Sequence, residues 1–188
     1  MTFRLKDMRT KLSLLLLLTS IVGAYAQPDQ RIAKTPKVNY DWTPGFVTTA
    51  ELTGAFGLGL VHDELSKYYY GFTATAGYQF SRNIKAGVGT GAHFHNDGTL
   101  FPLYIDFRIN LNSQGIVPYI SGTGGVMLDF KNLAGDTRVF INPLIGFRYI
   151  VANRTAITFA GGVMVTSGGP SQRKSFLNLK LGIELKSK

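Results

Sequence analysis

The chain contains no cysteine, which excludes disulfides, thiolate nucleophiles and zinc–thiolate sites together. It also lacks a helical membrane span. Its longest apolar run, Leu12 to Val22, is about 11 residues against the ~20 that a bilayer-crossing helix requires. Lys and Arg number 20 against 11 acids, yet they form no block of five or six, so the clustered basic patch of a nucleic-acid binder is missing. Histidines are only three and charged residues only 16%, so side chains for acid–base or metal chemistry are scarce. Glycine, at 22 residues, and aromatics, at 12%, are plentiful, a profile that suits strands and turns better than helices.

Four basic residues, Arg4, Lys6, Arg9 and Lys11, precede the Leu12–Val22 run, and Ala24-Tyr25-Ala26 follows it. A charged n-region, a short apolar h-region and small residues at −3 and −1 make a secretory signal peptide over 1–26, cleaved before Gln27. With its four bases and Asp7 removed, the remainder carries a net charge of +6 and has the length of one domain. Residues 27–44 are polar, hold Pro28, Pro36 and Pro44, and show no period, so they are taken as a periplasmic lead-in to a domain over 45–188.

From Gly45 onward the chain divides into about eight segments in which apolar and polar residues alternate. In 101–111, Phe101, Leu103, Ile105, Phe107, Ile109 and Leu111 alternate with Pro102, Tyr104, Asp106, Arg108 and Asn110. In the last segment, Leu177, Leu179, Leu181, Ile183 and Leu185 alternate with Asn178, Lys180, Gly182, Glu184 and Lys186. Period two separates an apolar from a polar face, as in a strand. The remaining segments are 46–60, 67–80, 84–95, 117–130, 138–151 and 154–166. Strands of this length exceed the five or six residues usual in soluble proteins and suit a tilted membrane strand.

Connectors alternate too. Ser81-Arg82-Asn83, Asn112 to Gly115 and Ala152-Asn153 are short, whereas 61–66, 95–100, 131–137 and 167–174 are longer. Short periplasmic turns and longer outer loops distinguish outer-membrane barrels. Aromatics fall near both ends of the segments, as two girdles would require: Tyr68, Tyr69, Tyr70, Phe94, Phe101, Phe130, Phe140 and Phe176 toward the outer end, and Tyr78, Phe80, Phe107, Phe147 and Tyr149 toward the inner.

The signal peptide, the stretch Pro118-Tyr119-Ile120-Ser121-Gly122-Thr123-Gly124-Gly125, the stretch Asn142-Pro143-Leu144-Ile145-Gly146-Phe147-Arg148-Tyr149 and the terminal segment Leu177–Leu185 together resemble the outer-membrane β-barrel domain family. These are the small porin-like barrels of Gram-negative bacteria that include the outer-membrane protein A and X types. The resemblance implies an all-β, eight-stranded antiparallel up-and-down transmembrane barrel in the outer membrane. It implies outer-membrane lipid and the barrel assembly machinery as partners, and it says little about activity. Pro143 falls inside a strand with no free edge, where it costs a ladder hydrogen bond or marks a bulge.

On the alternation, Glu51, Gln79, Lys85, Asp106, Arg108, Asp129, Arg148, Lys180 and Glu184 share the inward face. The interior of eight strands is filled by side chains, and charges out of water need partners. The expectation is therefore a lumen charge network of Glu51, Lys85, Asp106, Arg108, Asp129, Arg148, Lys180 and Glu184, a plugged cylinder with a structural or surface-binding role through its outer loops. A narrow ion conduit through the same residues is one alternative. A lipid-modifying enzyme at the rim is another, drawing on His62-Asp63-Glu64 with Ser66, or on His93. His93 and His95 share a strand face with Asp97 nearby, but this spacing alone does not make a metal site, and no metal or cofactor is expected. Gly57-Leu58-Gly59 and Gly87-Val88-Gly89-Thr90-Gly91 lack the following helix of a dinucleotide loop and are taken as thinning of the barrel interior. Asn153-Arg154-Thr155 matches a glycosylation acceptor that a bacterial turn does not use. A soluble lipocalin-type barrel would carry the same alternation with the charged face outward.

Overall fold

The computed structural model describes residues 38–59, 65–111, 116–131, 137–167 and 173–187; the 1–26 segment and His62, Asp63 and Glu64 lie outside them. Eight strands follow in order: β1 (Gly45–Gly57), β2 (Tyr68–Gln79), β3 (Ile84–His95), β4 (Gly98–Asn110), β5 (Ile116–Leu128), β6 (Arg138–Ala152), β7 (Thr155–Ser167) and β8 (Lys174–Lys186). Each pairs antiparallel with the next, and β8 closes on β1. The register can be followed once around the barrel from Gly45 to Gln79, Lys85, Arg108, Ser121, Leu144, Gly162 and Asn178, returning to β1 at Ala55. The path thus closes ten residues up the strand from its start. A stagger of this kind tilts strands by roughly 35–45° and leaves an interior that side chains can fill.

The alternation of the sequence becomes inside and outside. In β1, Val47, Thr49, Glu51, Thr53 and Ala55 are buried while Phe46, Thr48, Ala50, Leu52, Gly54 and Phe56 are exposed. Every charged residue of the eight strands falls on the inward set, and the outward set is apolar or uncharged on all of them. Phe46 and Ile145 are each 70% exposed and Ile105 65%. This is the reverse of the lipocalin arrangement, which needs the charges outside.

Two prolines interrupt the ladder without shifting it. Pro143 pairs with Gly122 on β5, but on the β7 side the pairs stop at Ile141–Val165 and resume at Leu144–Gly162 in the same register. The missing N–H costs a rung and makes no bulge. Pro102 does the same between β3 and β4, where pairing lapses between Thr90–Leu103 and His93–Leu100. The one irregularity between β6 and β7 lies at Ile150/Ala152, beside the turn.

Two sequence expectations need correction. The 95–100 connector is only Asn96-Asp97, because β3 runs to His95 and β4 starts at Gly98. The His95–Gly98 pair closes the hairpin on a two-residue turn where polarity suggested a longer loop. Tyr69, Phe140 and Phe176 are buried inside the barrel rather than placed in an outer girdle, since each sits on the inward parity of its strand. Residues 38–44, at the end of the lead-in, form a strap packed into the barrel mouth at which β1 starts, the lower mouth.

Candidate functional site

The barrel interior is built in layers, each set by which inward residues share a height. At the lower mouth the strap brings Tyr40 against Val117, Ile150 and Ala156, with Trp42 packed beside it at 4.9 Å between ring centroids. The strap is held by Asp41 N donating to Asn153 O at 2.8 Å, by Lys186 Nζ donating to Asp41 O at 2.8 Å and also to Thr43, and by Gln79 Nε2 donating to Thr43 O at 3.2 Å. Asp41 further pairs with Lys186 at 3.0 Å and Arg154 at 3.4 Å. The Thr43 hydroxyl and then the Lys186 ammonium, each donating to it, hold the Asp41 carboxyl below the usual carboxylate range. Burial, followed by the nearby Glu184 carboxylate, pushes the Tyr40 phenol upward, so that it stays a neutral donor; it donates to Glu184 Oε1 at 3.3 Å.

Above Tyr40 lies the charge cluster. Glu184, from β8, accepts from Lys85 and Arg148, and Arg108 Nη1 stands 3.8 Å from it. Glu51, from β1, accepts from Lys180 at 2.9 Å and Arg108 at 3.2 Å. Asp106 lies 3.6 Å from Arg108. Aromatic faces complete the surroundings of the cations: Arg148 stacks 4.1 Å from the Tyr40 ring and Arg108 4.5 Å from the Tyr119 ring. Four cations therefore meet three carboxylates, all of them almost wholly buried. Arg148 and Glu184 are each only 1% exposed. Arg108 spans both acids, so the cluster is one connected unit, and loss of any member leaves a buried charge short of a partner.

Higher still come Thr53, Thr73, Asn142 and Asn178, the last donating to Asn142 Oδ1 at 2.9 Å. An apolar layer follows toward the upper end: Ala55, Leu65, Tyr69, Leu100, Met127, Phe140, Met164 and Phe176 pack together, with Tyr104 beneath. His93 stacks on Tyr69 at 4.6 Å and 22°. His95 sits 5.0 Å from the same ring.

Seven of the sequence-selected residues, Glu51, Lys85, Asp106, Arg108, Arg148, Lys180 and Glu184, therefore stand together. Asp129 does not join them, because β5 ends at Leu128 and its carboxylate instead accepts from the Lys131 N–H at 2.8 Å in the following turn. Gln79 serves the strap. His93 and His95 share a face, as their spacing requires, but Asp97 is exposed on the turn, where it accepts from Leu65 N at 3.4 Å. Among the described residues no group of three His, Asp or Glu side chains gathers as a metal site would need. Ser66 is buried at the upper mouth.

Sequence reasoning missed Tyr40, Asp41, Trp42 and Thr43, because the strap has no period to detect; Lys186 falls on the polar face of the terminal segment, but its role in holding the strap had no signal. It also missed the part played by Tyr104 and Tyr119. Their rings lie across glycines on the neighbouring strands: a Cβ on Gly89 would stand 2.3 Å from Tyr104 Cζ, and one on Gly146 would stand 2.7 Å from Tyr119 Cζ. The alternating glycines of β3 were the available signal.

Comparison with solved structures finds a similar barrel in Neisserial surface protein A (NspA), at 14% sequence identity and a TM-score of 0.56, spanning 77% of this chain and 99% of that one. The N-terminal β-barrel domain of Pseudomonas aeruginosa OprF is also matched, at 13% identity over 76% of this chain and all of that one, with a TM-score of 0.47. No protein-family model and no curated protein matches the sequence. The likeness to NspA is one of fold: an eight-stranded, antiparallel, up-and-down closed barrel, the architecture of the small outer-membrane barrels.

Proposed function

We propose that this chain is a small outer-membrane barrel, exported through a cleaved signal peptide over 1–26, with a closed lumen and a structural or surface-binding role exerted through its upper loops. The observation that carries the reading is the partition of side chains. All strand charges face in, and a surface that is uncharged and predominantly apolar faces out, including Leu52, Phe72, Ile105, Ile145, Phe159 and Leu181. Water does not tolerate a contiguous apolar surface of this extent, far beyond the few hundred Å2 found on soluble monomers, whereas lipid requires it. Closure removes every sheet edge, so the backbone is satisfied without water.

The interlocked charge cluster and the apolar layers at both ends support a plug over an open conduit. A non-enzymatic role is favoured because His93 is buried and stacked on Tyr69, away from any surface a lipid head group could reach. Lipid and the assembly machinery are the proposed partners, with an envelope or extracellular partner at the upper loops. Membrane fractionation with electrophoresis before and after boiling tests the placement: a heat-dependent mobility shift in the outer-membrane fraction is expected, and recovery as a soluble protein refutes it. Planar-bilayer recording then separates plug from conduit, with no steady unitary conductance expected.

A further inference from the structure

Polar atoms with no hydrogen-bond partner among the described residues run up the barrel interior between the two apolar layers. Arg108 leaves Nε and Nη1 unmatched by a hydrogen-bond acceptor, and the Ser121 hydroxyl, opposite Arg108 in the β4–β5 register, is also unmatched. Above them the hydroxyls of Thr53 and Thr73 and both ring nitrogens of His93 are in the same condition. These five side chains belong to residues no more than 5% exposed. Buried groups of this type are matched by water in native proteins, each water needing two to four polar neighbours, and the interior supplies them at successive heights.

The layers that close this space differ in construction. The upper one, apart from Leu65, consists of strand residues such as Tyr69, Leu100, Met127 and Phe176, whose backbones are fixed in the ladder. They cannot leave without breaking the barrel. The lower one depends on Tyr40 and Trp42, carried by residues 38–44, which precede β1 and pair with no strand. Its holds are the Asp41–Asn153 and Tyr40–Glu184 hydrogen bonds, the Lys186 and Arg154 contacts to Asp41, the Lys186 and Gln79 contacts to Thr43, and the stacking of Arg148 and Arg82 on the rings. A segment held by side-chain contacts and standing outside the strand ladder opens at lower free energy than the sheet.

We propose that the barrel encloses a hydrated chamber and that residues 38–44 are its lid, so that water and small ions reach the Arg108–Ser121 level from the strap side while the upper end stays shut. This deepens the closed-barrel reading and rests on it.

The absence of native cysteine makes a single introduced thiol a clean probe. The full chain carrying Ser121→Cys is refolded in detergent and in lipid vesicles and treated with a trimethylammonium methanethiosulfonate, and the rate of the mass increase is measured. Labelling is expected to be slow in this protein, about tenfold faster when Tyr40→Ala and Trp42→Ala are added, and unchanged when Met127→Ala is added instead. Heat-dependent mobility verifies that each variant is folded. If the double strap variant loses that shift, Asp41→Asn, which alters only contacts at the mouth, decides the matter through faster labelling. The lid is overturned if Ser121→Cys labels equally fast with and without the strap changes, or if Met127→Ala accelerates it as much as they do. Labelling as stated in detergent, combined with failure to insert into vesicles, refutes the membrane placement and leaves the lid standing.

Discussion

A charge placed on the outside of the barrel distinguishes lipid from water by the depth at which it sits. Ile105 is the eighth of thirteen residues of β4 and 65% exposed, and Ile116 opens β5 at 53% exposed. Both point outward, so neither substitution disturbs the interior. If the outer surface faces hydrocarbon, Ile105→Arg places a guanidinium near the bilayer midplane and costs about 2–4 kcal/mol, while Ile116→Arg, at the strand end, costs about 0–1 kcal/mol. At 1.4 kcal/mol per decade, the first is a loss of roughly 30- to 1,000-fold in the folding equilibrium. Urea titrations of folding into phosphatidylcholine vesicles, with the folded fraction taken from the mobility of unboiled samples, measure both. On a water-facing barrel each change is a surface substitution worth within ~0.5 kcal/mol. Equal costs for the two variants, or a stabilising Ile105→Arg, would refute the argument.

The remaining predictions concern the interior and the strap. Glu184→Gln removes the acid that Lys85, Arg148 and Arg108 share, leaving buried cations short of a partner, and destabilises the barrel by about 3–5 kcal/mol in the same titration; Asp129→Asn, outside the cluster, leaves stability nearly unchanged. Trp42 is the chain's only tryptophan, so its fluorescence reports the strap. The folded-state pKa of Asp41 is depressed, so its contribution is present in full above the ordinary carboxylate value, about 4, and is lost as pH falls through the folded value. Emission should be constant above that pH and change below it, and Asp41→Asn should flatten the profile. Pro143→Val restores the missing rung to β7 and gains about 0.5–1.5 kcal/mol; an unchanged midpoint would mean that the rung is interrupted for another reason.

The strands were legible in the sequence because the two faces of the barrel wall differ, charged within and apolar without, and every second residue declares which one it belongs to. The charged face of 101–111 and 177–185 carries Asp106, Arg108, Lys180 and Glu184, which is why members of the cluster could be named from parity alone. Parity fails where an element ends. Asp129 continues the inward rhythm of β5 by one step, but the strand stops at Leu128 and the carboxylate turns to the Lys131 N–H. The same limit applies to Tyr69, whose neighbours Tyr68 and Tyr70 are exposed while it is 1% exposed. An aromatic triplet looks like a girdle until its middle member is assigned a side. The strap could not be found by any period, since Tyr40 and Trp42 are placed by contacts with Arg148, Val117 and Lys186 from distant strands.

Glycine shows how a sequence signal can be noticed before its cause is known. Gly89 and Gly125 flank Tyr104 on its two neighbouring strands, and Tyr104 bends across β3 to reach Thr75 Oγ1 at 2.9 Å. The phenol sits where a side chain at 89 would be, because a Cβ there stands 2.3 Å from Tyr104 Cζ and 2.5 Å from its oxygen. Gly89→Ala must therefore rotate the ring away, losing the hydrogen bond and straining the packing, at a cost of about 1–3 kcal/mol. Tyr104→Ala alone leaves a void and costs about 3–5 kcal/mol by analogy with other large aromatics. In the double variant the alanine at 89 meets no ring, so the two costs fall short of additive by roughly 1–2 kcal/mol. Additivity within about 0.5 kcal/mol would mean that Gly89 is required by the strand backbone and not by the tyrosine. The same cycle at Gly146 and Tyr119 is expected to couple more weakly, since a Cβ at 146 stands 2.4 Å from the Phe159 carbonyl oxygen as well as 2.7 Å from the Tyr119 ring, and the backbone contact remains when the ring is removed.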